Sequence, residues 1–302
     1  MDTMPTRRSF TALMAAMAGS AFLPAPLFAQ TADDNPPQDV LTRTLSEVEQ
    51  RLNARLGAYV LDIETGREWA QRADERFPMC STFKLLACGA VLAKVDMGEE
   101  DLERRITFEE KDLVTYSPVT KEHVGGEGMT LEDLCVAAMT QSDNTAGNLI
   151  LDSLGGPPAI TSFARSIGDQ VTRLDRRETE LNEATPGDPR DTTSPRAMGR
   201  DAQTLLVKGS LSDRSRLYLK RWMCTNKTGD EKLRAGLPGD FLVGDKTGGG
   251  GNGTMNDVAV IWPSGRKPII ASIYLTESGA SFDERNAGFA EIGKAIADVI
   301  KA

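Results

Sequence analysis

Four short stretches carry side chains that could act together on an electrophilic carbonyl. Ser81-Thr82-Phe83-Lys84 sets a hydroxyl three residues before an amine, and on a helix that spacing puts both on one face. A serine hydroxyl is a weak nucleophile until a neighbour takes its proton, which a desolvated lysine can do. The start of a helix also offers free backbone N–H groups and a positive dipole to an oxyanion. Ser142-Asp143-Asn144 supplies a second hydroxyl to relay a proton and an amide that both donates and accepts. Lys246-Thr247-Gly248 joins a cation to a hydroxyl, a pair that could hold a carboxylate. It runs into Gly249-Gly250-Gly251, where a substrate can lie close against a strand edge. In Arg177-Glu178-Thr179-Glu180-Leu181-Asn182 a carboxylate beside a positioned water could be the general base of an ester hydrolysis. Taken singly, each stretch reads equally as a helix cap, a hairpin turn or a solvated acid.

The surrounding pattern must position these groups. Leu41, Leu45, Val48, Leu52 and Leu56 recur at helical spacing over 41–56. A strand is expected at 57–63, then a turn at Glu64-Thr65-Gly66 and a second short strand. A helix is predicted from Ser81 to about Met97, ended by Gly98, with one or two more over 130–155. Residues 172–195 are rich in charge and hold Pro186, Gly187 and Pro189, which predicts a long loop of the kind that is usually functional. Amphipathic helices are predicted at 195–208 and 212–224, strands at 241–246, 257–262 and 269–275, and a closing helix at 283–301. Strands therefore lie towards both ends and helices between them. That order fits an α/β chain of the α+β type, with an antiparallel sheet assembled from both termini and a helical region inserted.

Composition excludes several classes. Among 302 residues, 35 Lys and Arg against 44 Asp and Glu give a net charge of −9, the opposite of the basic excess a nucleic-acid binder needs. The hydrophobic share of 40% is that of a globular chain. His123 is the single histidine, which disfavours a histidine-based triad or a His-rich metal site and leaves any hydrolase to use another base.

The combination and order of the motifs carry more than any one of them. Ser81-x-x-Lys84, Ser142-Asp143-Asn144 and Lys246-Thr247-Gly248 form the set shared by class A β-lactamases and penicillin-binding proteins. The chain resembles a class A serine β-lactamase over essentially its whole mature length. Residues 85–92, 116–120, 141–146 and 283–286 contribute, and Glu178-x-x-Leu181-Asn182 looks like that family's Glu-x-x-Leu-Asn. The resemblance implies a β-lactamase/transpeptidase-like fold with about five strands, an α/β part at about 40–76 and 226–302, and a helical part at about 77–225. It also implies an Ω-loop at about 173–191 tied by Arg176 and Asp191.

By the same resemblance Ser81 is the nucleophile, and the backbone N–H groups of Ser81 and Gly249 form the oxyanion hole. Lys84, or Glu178 through water, is the acylation base. Glu178, with Asn182, activates water for deacylation. The substrate carboxylate docks on Lys246 and Thr247 with the catalytic Ser142 nearby, Asn144 contacts the acylamino side chain, and Tyr116 walls the pocket. The expected partner is a small β-lactam, with no metal, organic cofactor or nucleic acid, and the expected state is a monomer. A penicillin-binding D,D-peptidase would share the first three motifs without needing Glu178 and Asn182. A non-hydrolysing penicillin sensor would be attached to a membrane span.

Some positions depart from close relatives. Met255 and Asn286 stand where some carry an arginine that assists carboxylate binding, and Lys232 is the expected substitute cation, without arginine's fork. Carbapenem-hydrolysing members often bridge the cysteine before the nucleophile to the glycine-rich turn. Here Gly250 is the matching position, so Cys80 has no such partner and carbapenemase activity is not expected. Cys88 and Cys135 match a pair that is bridged in a subset of the family, leaving Cys80 and Cys224 free. Residues 1–29 carry Arg7-Arg8-Ser9-Phe10, an apolar run interrupted by Pro24 and Pro26, and Ala29. They read as a cleaved twin-arginine-type signal peptide, with a periplasmic or secreted mature protein at 30–302 and no lasting membrane association.

Overall fold

The computed structural model describes residues 39–301, so the expected leader lies outside the described residues. The first helix, α1 (Val40–Arg51), is capped by Asp39, whose carboxylate accepts from Thr42 N at 3.0 Å. It ends before the expected 56, because Asn53 turns the chain with φ +41° and Leu56 enters strand β1 (Arg55–Asp62). A tight turn leads to β2 (Glu68–Gln71), and the two-residue strand β3 (Phe77–Pro78) precedes a 3-10 turn at Cys80–Thr82. From there α2 (Phe83–Asp96) runs through the interior with ten consecutive residues buried. The short strands β4 (Arg105–Ile106) and β5 (Met129–Thr130) pair across a long connection. Next come α3 (Leu131–Thr140), α4 (Asn144–Leu154) and α5 (Pro157–Ser166). The last has no counterpart in the sequence reading; Pro157 and Pro158 stand in its first turn, where proline is tolerated.

The loop expected at 172–195 is largely irregular, with a 3-10 turn at Glu180–Asn182 and a two-residue strand, β6 (Thr192–Thr193), which pairs with β3. Ser194 and Ser212 cap α6 (Pro195–Leu206) and α7 (Asp213–Cys224). A short α8 (Leu233–Gly236) is followed by β7 (Leu242–Gly249), β8 (Met255–Trp262), β9 (Ile269–Thr276) and α9 (Phe282–Lys301). β7 extends three residues beyond the expected 246, because Thr247, Gly248 and Gly249 stay in register with Asp257, Asn256 and Met255.

The five long strands form one antiparallel sheet in the order β2-β1-β9-β8-β7, built from both ends of the described chain as the element order implied. Both faces are covered. Ala58, Val60, Ile273 and Leu275 pack with Leu45, Val48, Phe289 and Ile292 of α1 and α9. Tyr59, Val258, Val260 and Tyr274 point to the other side, against α6 and the helical region. Gly199 lets α6 sit against this face, since a Cβ there would lie 2.6 Å from the Tyr59 ring. Burial of aliphatic side chains on both faces supplies the main drive for this arrangement. Among the described residues no helix is long and apolar enough to cross a membrane.

Candidate active site

The nucleophile motif sits where the sheet meets the helical region. Ser81 lies in the 3-10 turn rather than in α2 itself, one residue after Cys80 with φ +46°. Tyr116 and Ser142 also have positive φ, at +65° and +57°. Such backbones cost about 1–3 kcal/mol each in non-glycine residues and persist only where the surroundings enforce them. Three around one cleft mark a place where side-chain direction takes precedence over local comfort.

Lys84 points back to Ser81 as the spacing requires, donating to Ser81 Oγ at 2.9 Å. It is fully buried, and three further oxygens surround its Nζ: Ser142 O at 2.9 Å, Asn144 Oδ1 at 2.7 Å and Glu178 Oε1 at 2.8 Å. Gly147 on α4 makes room for this side chain, since a Cβ there would stand 2.8 Å from Lys84 Cε. Ser81 Oγ in turn donates to Glu178 Oε1 at 3.2 Å. A hydroxyl, an ammonium and a carboxylate therefore form a closed triangle away from bulk water, where each electrostatic contact is stronger than in solvent.

The loop carrying Glu178 is tied at both ends. Asp191, almost wholly buried, accepts from Asp175 N, Arg176 N and Arg176 Nε at 2.8, 2.9 and 2.6 Å. Arg176 also reaches Glu183 at 2.6 Å. Asn148 pins the Glu178 backbone twice, accepting from its N–H at 3.0 Å and donating to its carbonyl at 2.9 Å. Asn182 Nδ2 donates to Glu178 Oε2 at 2.5 Å, leaving Asn182 Oδ1 without a protein partner. Asn148 was not singled out from the sequence. Its signal was available, because it lies one helical turn beyond Asn144 on the same face of α4.

Lys246 enters from β7, fully buried, and donates to Ser142 Oγ at 3.1 Å and Thr247 O at 2.9 Å. Burial, followed by the nearby charge of Lys84, brings its ammonium down to about 7. The Thr247 hydroxyl meets the Thr228 hydroxyl at 2.5 Å. Gly248 allows β7 to pass the nucleophile turn, since a Cβ there would be 2.7 Å from Met79 O.

A cleft of about 400 Å³ opens over these groups, with Ser81, Ser142 and Asn144 on one side and Thr247 and Gly249 on the other. Tyr116, Asn182 and Lys232 border the same cleft. Lys232 is buried, donates from Nζ to Thr228 O at 3.1 Å, and is lowered in pKa by that burial. Asp257, whose charge acts on Lys232, is fully buried and is raised by that burial and by Asp245. Met255 borders the cleft and Asn286 donates to Glu231 at 2.9 Å. Thr228 and Phe282 also border the cleft and were missed in the sequence, where neither belongs to a motif.

The cysteine expectation is corrected. Cys88 and Cys135 are buried free thiols, with Cys88 Sγ set 3.9 Å from Cys135 O, so the pair is joined by weak polar contact and not by a bridge. Cys80 and Cys224 are also free, and burial pushes the Cys80 thiol up. A Cβ on Gly250 would fall 2.7 Å from Cys80 Sγ, the juxtaposition the sequence suggested for that position. His123 lies in a 3-10 turn, Thr120–His123, outside the cleft. Among the described residues no group of three or more His, Cys, Asp or Glu side chains could hold a metal ion.

The profile of the β-lactamase enzyme family matches residues 40–300. Among solved structures, an ancestral class A β-lactamase is 60% identical, with a TM-score of 0.84, over 86% of this chain and 99% of its own. A last common ancestor of Gram-negative bacteria class A β-lactamase is 58% identical, with a TM-score of 0.84 over the same shares. PenP of Rhodopseudomonas palustris, proposed to be a class A β-lactamase, is 53% identical, with a TM-score of 0.85 over 86% of this chain and all of its own.

Proposed function

The chain belongs to the class A β-lactamase family of hydrolases, and we propose that it opens the β-lactam amide of penicillins, and of some cephalosporins, through an acyl-enzyme on Ser81. The observation that carries this reading is the contact of one carboxylate, Glu178, with Ser81, Lys84 and Asn182 together. A protein that only accepts an acyl group has no need of that carboxylate.

In this reading the substrate carboxylate docks against Thr247, Lys246 and Lys232, with Ser142 beside them. The β-lactam carbonyl oxygen turns to the backbone N–H groups of Ser81 and Gly249. Ser81 Oγ attacks the carbonyl carbon, and its proton passes into the Lys84–Glu178 pair, 2.8 Å wide. Ser142 Oγ, within reach of Lys246, returns a proton to the departing ring nitrogen. The C–N bond breaks and the ester remains. Glu178 Oε2 and the free Oδ1 of Asn182 then hold a water, and Glu178 takes its proton. The hydroxide adds to the ester carbonyl, and the bond to Ser81 Oγ breaks as the proton on Glu178 passes to Oγ and the product acid leaves. Asn144 and Tyr116 face the acylamino side chain. The leader pattern at 1–29 supports action outside the cytoplasm.

The test follows β-lactam ring absorbance when the purified mature protein meets a large excess of benzylpenicillin. Many turnovers per protein molecule are expected. One equivalent consumed and then arrest would assign a stable acyl-enzyme and overturn the hydrolytic reading. No consumption would overturn the nucleophile assignment.

A further inference from the structure

Two large apolar side chains that the fold leaves exposed face the same cleft. Tyr116 is 56% exposed and Phe282 is 55% exposed, and both border the groove above Ser81. They belong to different neighbourhoods. Tyr116 is tied to the Asn144 side, its carbonyl accepting from Asn144 N at 3.0 Å. Phe282, the first residue of α9, is tied to the Lys232 side, with Lys232 Nζ 5.2 Å and Arg285 Cζ 5.9 Å from its ring centre. Lys232 in turn bonds Thr228 O, and the Thr228 hydroxyl bonds that of Thr247. One aromatic ring thus borders each end of the cleft.

Resting on the reading given above, in which Thr247, Lys246 and Lys232 hold the carboxylate, the position of Phe282 follows from substrate chemistry. In a cephalosporin the carboxylate-bearing carbon is bonded directly to the ring carbon that carries the C3 substituent. A group that abuts the cation holding the carboxylate therefore also abuts that substituent. We propose that Phe282 is a specificity-determining residue whose exposed ring packs against planar, conjugated or aryl substituents at C3 of cephalosporins, favouring them over small C3 groups. Cations close to the ring hold it in place, since aromatic quadrupoles attract ammonium and guanidinium groups. Its exposure at the edge of the cleft leaves apolar area for a ligand to cover. An aromatic ring stacked on another gains affinity beyond area burial alone.

The experiment uses two cephalosporins with the same acylamino side chain, one bearing a dinitrostyryl group at C3 and the other a methyl. The readout is the ratio of their kcat/KM values for the mature wild-type protein, Phe282→Ala and Phe282→Trp. The ratio is expected to fall about tenfold in Phe282→Ala, mainly through KM, and to recover in Phe282→Trp. A ratio held within about twofold in Phe282→Ala would overturn the proposal. So would equal proportional losses on both substrates, which would make Phe282 only a support for Lys232. Thermal melting of each variant separates these outcomes from misfolding. A wild-type protein inert on both cephalosporins and on benzylpenicillin would instead overturn the hydrolytic reading, and this proposal with it.

Discussion

Replacing Glu178 by glutamine removes one negative charge and keeps the shape, so two separate effects can be worked from the contacts. The first is on folding. Glu178 and Lys84 have fully buried side chains and an N–O distance of 2.8 Å. Removing one partner of a buried ion pair costs about 3–5 kcal/mol. The low end is expected, because Lys84 keeps Ser81 Oγ, Ser142 O and Asn144 Oδ1 as acceptors. A glutamine oxygen turned to Lys84 presents its NH2 to Asn182, whose amide can rotate to offer the unpartnered Oδ1. The second effect is on rate. Loss of a general base removes about 10²–10⁴-fold, or about 3–5 kcal/mol of barrier lowering. Lys84 remains 2.9 Å from Ser81, and its neutral amine form can receive the hydroxyl proton once the Glu178 charge is gone, so acylation should slow less than deacylation. Rapid-mixing mass spectrometry of Glu178→Gln with benzylpenicillin should therefore show near-complete conversion to an adduct of one penicillin, with steady-state turnover about 10³-fold below wild type. Turnover within tenfold of wild type and no accumulating adduct would refute the assignment of Glu178 to deacylation.

Two further perturbations probe the supports of the site. Burial lowers Lys246 from 10.5 to about 7, so the ammonium that receives the substrate carboxylate is lost as pH rises through that value. KM for penicillin should climb above pH 7 by up to about tenfold per unit, and a flat profile up to about pH 9 would contradict it. Replacing Lys246 by arginine should remove the inflection, because guanidinium stays charged. The stability linkage has the opposite sign: between about 7 and 10.5 the unfolded chain binds more protons at this position, so its contribution to stability rises with pH across that window. Asp191→Ala would strip three hydrogen bonds from a buried carboxylate and leave Arg176 with Glu183 alone. A loss of about 2–4 kcal/mol in chemical denaturation is expected, with a fall in kcat as Glu178 loosens. An unchanged midpoint and kcat would show that the loop is held elsewhere.

What could be read from the sequence, and what could not, follows from the range of the interactions involved. Ser81 and Lys84 are three residues apart, a spacing that brings them to one side of a helical turn, and Lys246 and Thr247 are adjacent on one strand, so each pair shows as a short motif. The strand runs at 257–262 and 269–275 were visible because helices cover both sheet faces, so β8 and β9 are buried along nearly their whole length and mostly apolar. α2 is buried all round, so its 3.6-residue period is weak, and its end was placed by Gly98. The 3-10 turn at Cys80–Thr82 left no local mark. Its cause lies in β7, where Gly248 lets the strand press against Met79 O, and in the Asn256 amide, which donates to Pro78 O and Met79 O at 2.9 and 3.0 Å.

Those two contacts explain why the nucleophile's direction needs the far end of the chain. Asn256 is in register with Gly248 on the neighbouring strand, 178 and 177 residues beyond the Pro78 and Met79 carbonyls it holds. The strand pair β7–β8 therefore does two jobs at once. One is to bring Lys246 and Thr247 to the cleft. The other is to clamp the residues before Ser81 so that Cys80 keeps its positive φ and the hydroxyl faces Lys84 and Glu178. Register fixes side-chain face with a period of two. A slip of one residue in either strand would turn its side chains to the other face, taking Asn256 off the turn or Lys246 away from Ser142. The catalytic geometry and the sheet register are thus a single structural commitment, and the three motifs, far apart in the chain, are held to a common reference by one pair of strands.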